Sequence, residues 1–444
     1  MHKFNRRLWA AISLMAALVV AGVLPACGGL PGAGAAVAEA RSDAARDTSP
    51  DVGDAELGEL ASGNTTFAFD LYQALRAGDG NIVYSPYSIS AALAMTYAGA
   101  RGETEQQMAD TLHFTLPQDT LHPAFNAVDL ALAGRSQAAG GEGDDLQGFQ
   151  LNVANALWGQ ESYPFAADFL DLLALNYGAG MSLMDFQTAP DDSRQVINNW
   201  VAEQTEDRIQ DLLPEGSIDS STRLVLTNAI YFYSDWLYPF PAEGTADAPF
   251  TLLDGSEVTV PMMNQGEPEP LRYGAGEDYQ AVEIPYEGNE IAMLILLPNE
   301  GQFETFEASL DAARLEAIQS DLSAGDMIIL SMPRFEFATP SISLKDVFIG
   351  LGMTIPFSGD ADFSGMVEGG QNPGLAISDI FHKAFIRVDE EGTEAAAATA
   401  VVMFETAIVA DEPVVVRADR PFIFMIYDRP TGTILFMGRV LDPR

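Results

Sequence analysis

The sequence predicts an α+β fold with large, mostly antiparallel sheets. Segments with helical spacing crowd its first half, strand-like runs crowd its second half, and no linker or internal repeat divides it after about residue 59. With 444 residues, 48% of them hydrophobic, the chain can bury a large core. Its 64 Asp+Glu against 22 Lys+Arg give a formal net charge of −42, which excludes a nucleic-acid partner held by phosphate neutralisation. One cysteine excludes an internal disulfide and any multi-cysteine zinc or iron–sulfur site.

Lys3, Arg6 and Arg7 precede an apolar run from Leu8 to Leu24, the charged and hydrophobic regions of an export signal spanning 1–26. The run ends in Leu24-Pro25-Ala26-Cys27-Gly28, which resembles a bacterial lipoprotein signal box with Cys27 as the lipidated residue. An ordinary signal cut near Ala26, leaving a free cysteine, is the alternative. Removing the three cations takes the net charge from −42 to −45. Residues 27–58 are rich in Gly, Ala, Ser and Asp without a helical or strand period, and are expected to form a flexible tether to a membrane.

One domain is expected over 59–444. Phe67 to Leu75 and Ile89 to Tyr97 have helical spacing, and Ser85-Pro86 is a helix-start signal for the second. Arg135 to Phe149, with Gly140, Gly141, Gly143 and paired Asp144-Asp145, is expected as a loop, and Asp191 to Leu213 as an amphipathic helix. Strand patterns cover Arg223 to Tyr233, Ala281 to Pro285, Ile291 to Leu297, Met327 to Ser331, Pro421 to Tyr427 and Thr433 to Val440.

The enzymatic patterns are weak. After the signal only His113, His122 and His382 remain, without a G-x-S-x-G elbow, H-E-x-x-H, P-loop or G-x-G-x-x-G. Asp360-x-Asp362 starts like a calcium loop, but Gln371 stands where the bidentate Glu belongs, so a turn is expected. No metal, cofactor or catalytic residue is expected. His382, in Ile380-Phe381-His382-Lys383-Ala384-Phe385, reads as a hydrogen-bonded core histidine.

The unusual segment is Glu390-Glu391-Gly392-Thr393-Glu394-Ala395-Ala396-Ala397-Ala398-Thr399-Ala400. Propensity alone favours a surface helix there. A run of small side chains leading into Val401-Val402 can equally enter a β-sheet without clashes, with Gly392 as hinge.

Five segments make the sequence resemble the serpin family over nearly all of the chain beyond the tether: NIVYSPYSISAALAMTYAGARGETEQQM, LVLTNAIYFYSDW, MTIPFSGDADFSGM, HKAFIRVDEEGTEAAAATA and ADRPFIFMIYDRPTGTILFMGRVLDP. The resemblance implies helices around three β-sheets, a large central sheet, and an exposed reactive-centre loop at about 390–416. It also implies a metastable, non-enzymatic inhibitor that a serine protease attacks. The cleaved loop then inserts into the main sheet and traps the acyl-enzyme. Small hinge residues, Thr393 and Ala395 to Ala398, fit that role; Glu394 is the charged exception and is expected on the solvent face. A non-inhibitory serpin serving as a surface binding or scaffold protein is the alternative.

The resemblance further assigns Ser85, Ser88, Asn228 and His382 to a polar cluster beneath the opening sheet, Arg334 and Glu390 to an ion pair where insertion begins, and Trp236 to the same place. Counting sixteen positions from Glu390 sets the reactive bond at Thr406-Ala407. No Lys or Arg lies between Arg387 and Arg417, so an elastase-like or subtilisin-like protease is expected rather than a trypsin-like one. Phe404 and Glu405 are the neighbouring alternatives. Gln118 to Leu132 carries no Lys or Arg, so heparin activation is not expected, and the molecule is expected to be a monomer at the cell surface.

Overall fold

The computed structural model describes residues 38–138, 150–324, 327–371, 374–393 and 412–444. The export signal, Cys27, hinge residues Glu394 and Ala395 to Ala398, and the Thr406-Ala407 bond lie outside the described residues.

The first half runs β1 (Ala38–Ala40), α1 (Asp54–Leu75), β2 (Ile82–Tyr84), α2 (Pro86–Tyr97), α3 (Gly102–Leu112), α4 (Gln118–Ala138), β3 (Gln150–Gln160), α5 (Ala167–Tyr177), β4 (Met181–Met184), α6 (Pro190–Gln204) and β5 (Leu224–Asp235). The second half runs β6 (Ala246–Thr251), β7 (Glu257–Asn264), β8 (Arg272–Ala275), β9 (Tyr279–Pro285), β10 (Ile291–Pro298), α7 (Phe303–Ala308), α8 (Ala312–Asp321), β11 (Ile328–Pro333), β12 (Phe335–Ala338), β13 (Ile342–Ser343) and α9 (Lys345–Gly350). It closes with β14 (Ile377–Val388), β15 (Gly392–Thr393), β16 (Val414–Arg417), β17 (Phe422–Asp428) and β18 (Ile434–Val440).

Among the described residues the strands form three sheets. The largest has the order β1-β4-β3-β5-β15-β14-β12, with β13 also on β14; the others are β2-β18-β17-β10-β9-β8 and β16-β11-β7-β6. The continuously apolar β10 and β17 are buried on both faces, as their sequences require. Helix α2 is buried along its whole length and starts where sequence chemistry says it must. The Ser85 hydroxyl accepts from the Ser88 N–H at 3.2 Å, and Pro86 occupies the first turn. Helix α6 packs on the opposite face of the large sheet, where Ile197 and Val201 meet Trp158, Val225 and Ala229.

Three expectations differ from the structure. Helix α4 runs on to Ala138, into the segment from Arg135 expected as a loop. The helix from Asp191 ends at Gln204 rather than Leu213, because the buried Asn198 amide binds both the Leu213 N–H (2.7 Å) and its carbonyl (3.0 Å) and holds 205–213 as an irregular segment. The carboxyl-terminal part of the expected tether is instead docked. Ala38–Ala40 pairs antiparallel with β4 at the edge of the large sheet, and α1 begins at Asp54. Between them the Arg46 guanidinium donates to Asn126 Oδ1 (2.8 Å) and Asp129 Oδ2 (2.6 Å), and the Asp47 N–H donates to the Leu175 carbonyl (2.9 Å).

Candidate functional site

The long central strand β5 and the long strand β14 run parallel and pair from Ile377↔Leu224 to Ala384↔Ile230. Beyond that point they diverge into a fork, and β15 sits inside it. Gly392 pairs with Asp235 and Thr393 with Ser234 on one side, while Thr393 pairs with Val388 on the other. Gly392 and Thr393, two of the expected hinge residues, are therefore already strand. Gly392 is required by close approach: a Cβ there would lie 2.1 Å from the Ser234 carbonyl oxygen and 2.7 Å from Asp235 Cα. Thr393 is buried, and its hydroxyl lies 2.6 Å from that of Tyr286.

The expected residues around the fork come together. Trp236 stacks on Tyr286 with ring centroids 4.4 Å apart and donates its indole N–H to the Asp389 carbonyl at 3.0 Å. Its backbone N–H donates to Glu391, and that of Phe240 to Glu390. Arg334 pairs with the Glu390 carboxylate, which also accepts from the Thr245 hydroxyl at 2.6 Å. Burial opposes the Glu390 charge, but these donors, Arg334 foremost, hold its carboxyl below the usual range. Asp235 behaves oppositely. Burial and the nearby Glu287, with Glu391 and Asp389 adding, push its carboxyl up to about 6.

The second cluster lies at the closed end of the fork, between the sheet and α2. Ser85, Ser88, Asn228 and His382 are all fully buried. The Ser85 N–H donates to His382 Nε2 (3.3 Å), so the ring proton sits on Nδ1, 2.5 Å from Asn228 Oδ1. The Asn228 amide donates to Ser88 Oγ (2.6 Å). Burial pushes the His382 pKa down to about 3, so the ring is neutral, as an acceptor from Ser85 must be. Sequence reasoning missed Asn155 on β3. It accepts from Asn228 and Ser88, and its own amide donates to the Ser88 carbonyl at 3.0 Å. Its position directly opposite Asn228 in the β3–β5 register was not readable without the pairing.

Neither cluster contains a nucleophile–base pair. The polar groups of the second cluster are satisfied by one another where β5 and β14 pair directly.

Comparison with known proteins agrees with this geometry. The family described as serpin (serine protease inhibitor) matches residues 62–443. An uncharacterized serpin-like protein of Thermococcus kodakarensis is 42% identical over 85% of this chain and 84% of its own length. The leukocyte elastase inhibitor of Sus scrofa is 39% identical over 87% and 100%. The crystal structure of human thyroxine-binding globulin with its hormone superposes with a TM-score of 0.75 at 30% identity, covering 87% of this chain and 99% of that one. On its sequence matches, its three-sheet architecture and the hinge in the sheet's fork, the chain belongs to the serpin family.

Proposed function

We propose that this protein is an irreversible inhibitor of serine proteases that traps its target by inserting the cleaved reactive loop between β5 and β14. The observation that carries this is β15: the hinge is already paired to both strands of the fork. Continuing that register, each further loop residue pairs one position lower on both neighbours. A strand inserted along it would pass between Asn228 and His382, which pair directly with each other in this structure. It would end at Leu224, the far end of β5. Net ladder hydrogen bonds of about 1 kcal/mol each over that length are on the order of a domain's whole stability, enough to make cleavage a one-way event.

The bait loop lacks Lys and Arg and presents Thr406 at the counted position. Relatives bear the name leukocyte elastase inhibitor. Both favour a target with a shallow elastase-like pocket or a broad subtilisin-like one. The Leu24 to Gly28 box supports export and lipid attachment at Cys27, which would display the inhibitor at a cell surface.

Mixed with elastase or subtilisin, the protein is predicted to give an SDS-resistant complex and release a peptide beginning at Ala407. Thr393→Arg should turn it into a substrate, because a charged side chain cannot occupy the buried position beside Tyr286. Loop cleavage with no covalent complex would sink the reading. So would inhibition that survives Thr393→Arg.

A further inference from the structure

A cavity of about 160 Å³ opens on the β16-β11-β7-β6 sheet, and none of the fork residues lines it. Register builds its polar wall. Ser331 on β11 pairs with Arg417 on β16 and with Asn264 on β7. Register partners share a face of the sheet, so the three side chains stand in one row. Arg417 and Asn264 are two strand spacings apart, about 10 Å. All three residues line the cavity.

The row holds donors that nothing uses. Arg417 is exposed, and in this acidic chain its guanidinium makes no hydrogen bond or ion pair among the described residues. Ser331 is only 3% exposed, and its hydroxyl likewise has no partner among the described residues. Asn264 Oδ1 accepts from the Gly266 N–H at 2.8 Å, which fixes the amide orientation and leaves its NH2 group to donate. The carboxylate at the rim, Asp419, is occupied by Arg420 at 3.1 Å.

The other side of the cavity is apolar. Met262 stands on the same face of β7 as Asn264 and pairs with Ala246 on β6, and Ala248 follows on that face. Arg417 repels a cationic ligand, and a wholly apolar one would bury the donors unpaired. A guanidinium fork matches a carboxylate bidentately, and Ser331 and Asn264 add donors beside it. The apolar wall calls for an organic body rather than an inorganic oxyanion. Since a cavity of about 150 Å³ holds benzene, this one has room for about six heavy atoms.

We propose that this cavity is a binding site for a small organic carboxylate, held by Arg417, Ser331 and Asn264 with its short apolar body against Ala246, Ala248 and Met262. The site does not depend on the inhibitory mechanism. Among the described strands β16 is an edge, paired only with β11, so a ligand on the row ties it to the strands behind and slows its opening.

The test titrates butyrate, a carboxylate of that size, into the full chain at constant ionic strength and follows it by ligand-observed NMR. Wild type should show one saturable site. Arg417→Gln, a change at an exposed position, should weaken it at least about tenfold, and Ser331→Ala about three- to tenfold. Butyramide, which keeps the shape without the charge, and inorganic phosphate, which lacks the apolar body, should each bind at least about tenfold more weakly. Saturating butyrate should slow amide exchange in β16 of wild type but not of Arg417→Gln. An unsaturable titration, unchanged affinity in Arg417→Gln, equal binding of butyramide, or unchanged β16 exchange at saturation overturns the proposal. If butyrate does not bind while Arg417→Gln slows complex formation with elastase or subtilisin, the row is a contact for the protease and the carboxylate site falls.

Discussion

His382 gives the floor of the fork its pH dependence. Burial holds its pKa at about 3 against an ordinary 6.5, and buried His122 follows at about 4. A depressed histidine contributes stability that is complete above 6.5 and lost as pH falls through the folded value. Asp235, raised to about 6, contributes with the opposite sign: its share is present below the ordinary carboxylate value of 3.8 and lost as pH rises through 6. Two histidines with large shifts outweigh one carboxyl. The native melting temperature, at fixed scan rate, should fall from pH 6.5 to pH 4, and His382→Gln should flatten the profile while lowering its plateau. A wild-type profile that is level over this window would refute the assignment. The residue types here were legible beforehand: Ser85, Ser88, Asn228 and His382 follow from motif resemblance. Asn155 was not, because a polar residue on a strand means little until its cross-strand neighbour is known.

Among the elements, the amino-terminal strap departs most from expectation. Ala38–Ala40 is three residues of no periodicity, and nothing in 38–53 advertises a docking face. The reason lies on the receiving side. Gly180 has no Cβ, and one would sit 2.9 Å from the Ala40 carbonyl oxygen; at Gly178 one would lie 3.3 Å from Arg46 Cδ. Arg46 to Asn126 and Asp129 then fixes the strap to α4. Arg46→Ala should cost about 1–2 kcal/mol in denaturant unfolding, the low side of the range for hydrogen bonds to charged groups because the pair is partly exposed. It should also speed amide exchange across β1. Unchanged exchange there would mean that the strap is held without Arg46. The longer elements, by contrast, were recognisable from period: β5, β9, β10, β17 and β18 start and stop within about three residues of their expected bounds.

At the scale of the molecule, the proposed insertion would add a full strand to the large sheet, so the cleaved form should be the more stable one. Limited proteolysis in the loop is predicted to raise the melting temperature by many degrees. A cleaved protein that melts where the intact one does would identify a non-inhibitory serpin. The net charge of −42 bears on this only at the fork, where carboxylates gather around the hinge.

By itself the sequence determined the family, and it carries the proposals of a small-residue hinge, a bait loop without Lys or Arg and an export signal, because each of these is a matter of which residues stand in which order. Only the tertiary structure decided that Gly392 and Thr393 are already held between β5 and β14, and that Ala38–Ala40 pair with the edge of the large sheet while Arg46 and Asp47 dock on α4 and α5. Those are facts of register and close approach between segments far apart in the chain. A one-residue slip in register would turn every side chain to the other face, and local periodicity does not specify which strand lies beside which.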